Sequence, residues 1–316
     1  MSSGMMGEGR ATYSPAPPPE GPVAFGPLRF IPGANGGRYP YCHSLVLEAA
    51  ETWVVDPASD KEFLGNLARS RRVTRVFLSH FHEDHLKYAG FFPEAAFYVP
   101  ARELAAFTSL EGVFELVGAT SPEFQAHLRE TLEVHFHFRP FSHLVPYHPG
   151  ERFQNGEVVL EVVAAPGHTP GHSCFAFPEL DLIFLADVDL SAFGPWYADA
   201  ASDLEAYHQT LEELKKLRFG TVITAHEQGV FTLEEAQAGL HYFSWVLADR
   251  EARLLEALKY PHTLQELVQM RLIYRRPRDP LLVYDHMEAQ MLKKHLERLR
   301  CQGKVVLAQE GYQACL

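Results

Sequence analysis

The run LSHFHEDH, residues 78–85, constrains this chain more than any other feature. It sets His80, His82, Asp84 and His85 directly after the apolar stretch RVTRVFLS. A first-row metal in a protein needs imidazole, thiolate or carboxylate donors converging from about four directions. Two histidines two residues apart in an extended segment point the same way and can share one ion. Asp84 and His85, where the chain turns into a helix, can address a second ion beside the first. A solvated His-rich loop is the plain alternative, but 17 His in 316 residues would rarely fall in this spacing. A buried strand ending in donors calls for a layered fold in which other strand ends supply the rest.

The surrounding pattern provides such strands. SLVLEAAETWVVDP reads as two short strands around a turn, and residues 72–79 as a buried strand. Between them, residues 59–70 carry helical spacing with Asp60 as a cap, which gives the strand–helix–strand order of an α/β layer structure. Residues 101–140 have helix-like periodicity and many aromatics, so a helical insert is expected there, a candidate lid or substrate wall. Strands follow at 158–165 and 181–188, and a helix at 203–217 that Ser202 and Glu205 would open as a capping box. The strand GTVITAH then ends at His226.

The two ends differ from this body, which is taken as residues 23–231. Residues 1–22 are rich in Gly, Pro and Ser with little to bury, and read as a disordered leader. In residues 232–316, Thr232/Glu235 and Thr263/Glu266 are capping-box pairs before a long and a short helix. A third helix at about 281–302 stops at Gly303, and KVVLAQEGYQACL reads as a hairpin, so a winged-helix-like C-terminal domain is expected.

Three further donors fall at predicted strand ends: PGHTPGH (166–172), LADVD (185–189) and TAH (224–226). Taken together, the set strongly resembles the metallo-β-lactamase superfamily over roughly residues 23–230. Its H-x-H-x-D-H motif matches His80, His82, Asp84 and His85, and its Gly-His-Thr-x-Gly-His motif matches Gly167 to His172. The resemblance implies a four-layer αββα sandwich and two divalent metal ions, Zn2+ in the first instance with Fe or Mn as alternatives. It implies one metal held by His80, His82 and His168, a second by Asp84, His85 and His226, and Asp187 bridging both. Asp189 is a rival to Asp187 for the bridge. Asp56, in VVDP, would brace the ligand loop from behind. Two metals acidify a bridging water, which would attack an ester, thioester, amide or phosphodiester with Asp84 orienting it. His172 is either a donor behind the ligands or a structural residue. The chain departs from the family at Ala186, where Gly is usual, and at Leu86 to Gly90, where two glycines often follow the first motif.

Other candidates are weaker. In EVHFHFRPFSH, His135 and His137 would share a face if extended, and Arg139 could meet an anionic substrate. Trp196 and Tyr197, in FGPWY, could wall the pocket. The four cysteines are scattered, which fits a reducing cytoplasm, and no signal peptide or membrane-length apolar run stands out. The net charge of -12 is uneven: residues 250–316 hold 12 Lys and Arg against 8 Asp and Glu. That mild basic excess raises nucleic acid as a partner without favouring it; a packing module or a homo-oligomer contact fits better. The expected activity is hydrolysis of a thioester or other small acyl substrate, as in glyoxalase-II-like relatives, with metal-dependent endoribonuclease as the alternative.

Overall fold

The structure is a computed structural model and describes residues 13–315. Seven strands form one sheet in chain order: β1 (Val23–Phe25), β2 (Leu28–Ile31), β3 (Ser44–Glu48), β4 (Thr52–Val55), β5 (Val73–Phe77), β6 (Ala96–Pro100) and β7 (Leu144–Tyr147). A second sheet runs in the order β13-β12-β11-β10-β9-β8, from β8 (Arg152–Asn155), β9 (Val158–Ala164), β10 (Ser173–Phe177), β11 (Leu182–Phe184), β12 (Thr221–Ile223) and β13 (Val230–Thr232).

Side-chain alternation explains why two sheets stack and why each also needs helices. Strand residues point to opposite faces in turn, so an apolar strand serves two cores. In β3, Leu45 and Leu47 face the other sheet while Val46 faces outward; in β10, Phe175 and Phe177 face inward while Cys174 and Ala176 face outward. The inter-sheet core holds Phe30, Trp53, Phe77, Tyr147, Phe175, Phe177 and Phe184, all buried. The outer face of the first sheet is covered by α1 (Lys61–Ser70) and by the insert helices α3 (Leu104–Thr108), α4 (Leu110–Val117) and α5 (Pro122–Glu130). Between α1 and the insert lies the single turn α2 (Glu83–Leu86). The second sheet is covered by α6 (Leu204–Leu214) and the C-terminal helices. Four layers result, and Cys174 is an apolar filler between two of them.

The C-terminal segment has α7 (Leu233–Ala257), α8 (Leu264–Met270), α9 (Leu281–Cys301) and a hairpin of β14 (Val305–Ala308) and β15 (Gly311–Ala314). Both predicted capping boxes are present, with Thr232 and Thr263 accepting from the backbone N–H of Glu235 and Glu266. Helix α8 ends at Met270. Arg271 turns left-handed at φ 53°, and the next amides, of Ile273 and Tyr274, donate to the buried Glu288 carboxylate instead of continuing the helix.

Three other expectations are corrected. Helix α6 is capped by Asp203, whose side chain accepts from Ala206 N–H, because the Ser202 hydroxyl is committed to the His168 carbonyl at 2.6 Å. The EVHFHF segment is not extended: Thr131–His135 forms one π-helical turn, and His137 is left-handed, so His135 and His137 do not form a strand face. Of the leader, residues 1–12 lie outside the described residues, while Tyr13 stacks on Tyr242 and donates to the Leu190 carbonyl, which holds that part against the body.

Candidate metal centre and active site

All seven sequence-predicted donors meet at one edge of the sandwich. His80 and His82 follow β5, His168 follows β9, Asp187 follows β11 and His226 follows β12; Asp84 and His85 sit in α2. Two groups form: His80, His82, His168 and Asp187, and beside them Asp84, His85 and His226. In the first, His80 Nε2, His82 Nδ1 and His168 Nε2 lie 2.9, 3.0 and 3.2 Å apart.

The outward nitrogen of each ring fixes which way its lone pair points. His85 Nδ1 donates to Asp56 Oδ2 at 2.8 Å, His168 Nδ1 to the Trp196 carbonyl at 2.9 Å, and His226 Nδ1 to the Gly37 carbonyl at 2.5 Å. His82 Nε2 donates to Asp199 Oδ2 at 2.7 Å. Ser79 Oγ gives its own proton to Asp56 and so accepts from His80 Nδ1 at 3.0 Å. The inward nitrogens of His80 and His168, which burial keeps neutral, therefore present lone pairs to their neighbours, and those of His82, His85 and His226 do so once their second proton leaves. Three nitrogens around a tetrahedral ion at about 2.0–2.1 Å would be separated by roughly 3.3 Å. The first group is close to that spacing, and each ring has its other nitrogen fixed by a hydrogen bond, as a metal-ligating histidine requires. The residues fit a pair of metal ions.

Asp187 is placed to serve both groups. Its Oδ2 lies 3.4 Å from His168 Nε2 and 3.9 Å from His80 Nε2, while Oδ1 lies 2.9 Å from His85 Nε2 and 3.3 Å from His226 Nε2. Oδ1 and His85 Nε2 are both buried and face each other. Asp189 is not in either group; its Oδ1 accepts from Ser191 N–H. Ala186 has φ 48°, which explains why Gly is usual there: a Cβ in the left-handed region costs about 1 kcal/mol.

Proton occupancy follows from these contacts. Burial opposes charge on His82, but the Asp199 carboxylate outweighs it and raises the ring to about 9. Burial opposes charge on His226 too, yet Asp187 raises it to about 10. Burial holds His80 and His168 well below the usual imidazole range. Burial likewise opposes charge on His85, but Asp187 outweighs it and raises that ring too, so metal binding at neutral pH must displace protons on His82, His85 and His226. Zn2+ binding is thus expected to release protons and to tighten as pH rises from 6 towards about 9. Calorimetry in buffers of different ionisation enthalpy measures this; a pH-independent affinity over that range contradicts it.

Among the remaining predicted residues, His172 is a positioning group. Its Nδ1 donates to the Ala165 carbonyl at 2.8 Å and its Nε2 accepts from Asp187 N–H at 3.0 Å; burial lowers it to about 4. Both nitrogens are spent on backbone, and neither faces a substrate. Trp196 stands edge-on to His82, ring centroids 5.3 Å apart. Tyr197 is fully buried, its hydroxyl against His295 at 2.6 Å and Arg250 at 2.9 Å, because the partners that satisfy it lie in the C-terminal helices. Arg139 is exposed and donates to the Phe138 carbonyl; among the described residues nothing joins it to the donor groups.

Asp56, expected behind the ligand loop, does hold Ser79 and His85, but the sequence reading missed the other residues that aim the ligands. Asp199 and Ser202 come from a loop with no regular pattern, and Gly37 from the turn after β2. Gly37 has φ 67°, and a Cβ there would lie 2.4 Å from the His43 ring, so only glycine brings its carbonyl to His226. Glu103 is a fourth case. Its buried carboxylate accepts from Thr169 Oγ1 and from Gly171 N–H at 2.7 Å, which holds the loop of His168. Burial raises Glu103 to about 7. A raised acid is stabilising while protonated, so its contribution is full below about 4.5 and is lost as pH rises through 7. Glu103→Gln, which keeps an acceptor, is expected to gain about 3 kcal/mol on wild type between those limits. Urea denaturation at pH 5 and 8 checks it; an equal difference at both pH values refutes it.

Residues 40–226 match the family model described as Metallo-beta-lactamase superfamily. A hydroxyacylglutathione hydrolase of Hahella chejuensis is 27% identical over 214 residues, covering 66% of this chain and 68% of the relative. Among solved structures, a metallo-beta-lactamase family protein of Thermus thermophilus superposes with TM-score 0.69 at 23% identity, covering 92% of this chain and 99% of that one. A beta-lactamase domain protein of Burkholderia ambifaria gives 0.69 at 16%, with 96% of each chain covered. Among the described residues no helix is long and apolar enough to cross a membrane. With more than half its length matched to the family model and its donors gathered at the sheet edge, this chain belongs to the metallo-beta-lactamase superfamily and is a metal-dependent hydrolase.

Proposed function

We propose that the chain hydrolyses a thioester or other small acyl substrate with two divalent ions, Zn2+ from the nitrogen- and oxygen-rich donor set. His80, His82 and His168 would hold the first ion, and Asp84, His85 and His226 the second, with Asp187 reaching both. When bound, the pair supplies Lewis acidity and brings the ionisation of water down towards pH 7. The chain's own groups do the rest. Asp84, whose Oδ2 lies 3.7 Å from His226 Nε2, would accept a hydrogen bond from the attacking water and orient it. Trp196 shields one side from solvent. Asp56, Asp199, Gly37 and the Trp196 carbonyl keep the rings from turning.

The observation that carries this reading is the two-sided Asp187 carboxylate, one oxygen toward each group. The similarity to a hydroxyacylglutathione hydrolase supports the acyl class. The C-terminal helices and hairpin, winged-helix-like in this reading, are a packing module. Five of their twelve basic residues are used internally: Arg250 and Lys294 are buried, Arg253 pairs with Asp249, Arg271 with Asp285, and Arg298 with Glu205 and Glu251. An RNA surface needs many such cations free for phosphates. Metal analysis together with a panel of thioesters, lactones and phosphodiesters tests the proposal. Acyl turnover that follows metal content is expected; phosphodiester cleavage without acyl turnover overturns it.

A further inference from the structure

The loop of residues 193–202 carries the outward partners of two residues in the first donor group and of none in the second. Trp196 O accepts from His168 Nδ1, Asp199 Oδ2 accepts from His82 Nε2, and Ser202 Oγ donates to the His168 carbonyl. His85 and His226 are instead held by Asp56 and Gly37. None of this loop lies in a sheet or a helix. A loop so irregular orients ligands only if something fixes it.

What fixes it comes mostly from the C-terminal helices. From α7, the buried Arg250 donates to the carbonyls of Phe193 at 2.8 Å and Pro195 at 2.5 Å, and to the Tyr197 hydroxyl. From α9, the buried Lys294 Nζ donates to the Asp199 carbonyl at 2.6 Å. Buried cations aimed at backbone carbonyls are costly to place, and these two converge on one ten-residue loop. The path from α9 to the first donor group is two contacts long: Lys294 to Asp199, and Asp199 to His82.

We propose that Lys294 and Arg250 are positioning residues for the first donor group, acting through this loop on His82 and His168. The C-terminal segment is then a working part of one half of the site and leaves the other half alone. This inference rests on the metal reading above, and its test separates the two. Zn2+ affinity is measured by competition with a chromophoric chelator in two backgrounds: His226→Ala, which keeps the first group, and His80→Ala/His168→Ala, which keeps the second. Lys294→Met is expected to weaken binding 10–100-fold in the first background, the range typical of losing a support behind a ligand, and to leave the second unchanged. Asp199→Ala should do the same, and the two together should cost little more than either alone, because they lie on one path. Should the Met variant not fold, Lys294→Gln, a shorter donor, is measured in its place with a smaller loss in the same background only. Equal losses in both backgrounds, no loss in either, or simple additivity with Asp199→Ala overturns the inference. A wild-type chain that binds no Zn2+ would overturn the metal reading itself.

Discussion

Asp187→Ala is expected to reduce turnover by at least about a thousandfold and to take metal content from two equivalents to one or fewer. The reason is the position of its two oxygens, with Oδ2 toward His168 and His80 and Oδ1 toward His85 and His226. A carboxylate about 4 Å from a charge contributes about 4 kcal/mol at an effective dielectric of 20, and about 4 kcal/mol in a barrier is roughly a factor of a thousand. In the chain without metal, Asp187 is also the anion beside His85 and His226. Burial opposes its ionisation, but His85, His226 and His80 hold its carboxyl well below the usual range. Its loss leaves those rings without their shared counter-charge. Elemental analysis and turnover on the best acyl substrate give the result together. Two bound metals with near-normal turnover in the variant would mean that Asp187 does not lie between the ions.

The second large effect concerns Asp56, a fully buried carboxylate behind the site. It accepts three hydrogen bonds, from Ser79 N–H at 2.8 Å, Ser79 Oγ at 2.6 Å and His85 Nδ1 at 2.8 Å. Asp56→Ala orphans all three donors in a dry environment. Removing one partner of a buried charged network costs about 3–5 kcal/mol, and at about 2–4 °C per kcal/mol the melting temperature should fall by roughly 10 °C. Asp56→Asn separates stability from chemistry. Its amide can accept from Ser79 N–H, but its NH2 then faces His85 Nδ1, a donor against a donor. His85 must shed that proton and carry one on Nε2, the atom that faces the second group. Zn2+ affinity in that group is expected to fall 10–100-fold with a much smaller change in melting temperature. An Asn variant that melts as low as the Ala variant, or binds Zn2+ as wild type does, would contradict this role.

The ligands were legible because donors at spacings two, four and five can be read along one segment, and because strand ends in an α/β layer structure converge. The capping boxes at Thr232 and Thr263 and the cap at Asp60 were legible for the same reason: their partners are three residues away. What escaped was anything whose partner is distant. Asp199 meets His82 across 117 residues, and Lys294 meets Asp199 across 95, from segments with no local signature. Ser202 was misread because its hydroxyl had a better claim from the His168 carbonyl than from its own helix. Tyr197 reads as a pocket aromatic in the sequence because its loop follows the strand of Asp187. Its hydroxyl was the clue, since a buried phenol goes where it finds partners, here Arg250 and His295.

The donors are also spread along the chain in a way that bears on the order of folding. His80 and His168 touch across 88 residues and belong to different sheets. Neither donor group can assemble until both sheets have formed and docked, so an ion binds after most of the apolar surface is already buried. Interactions formed that late are absent from the folding transition state. Bound metal would therefore act as a latch on the finished molecule, slowing the opening of the seam between the sheets and leaving the rate at which they come together as it was.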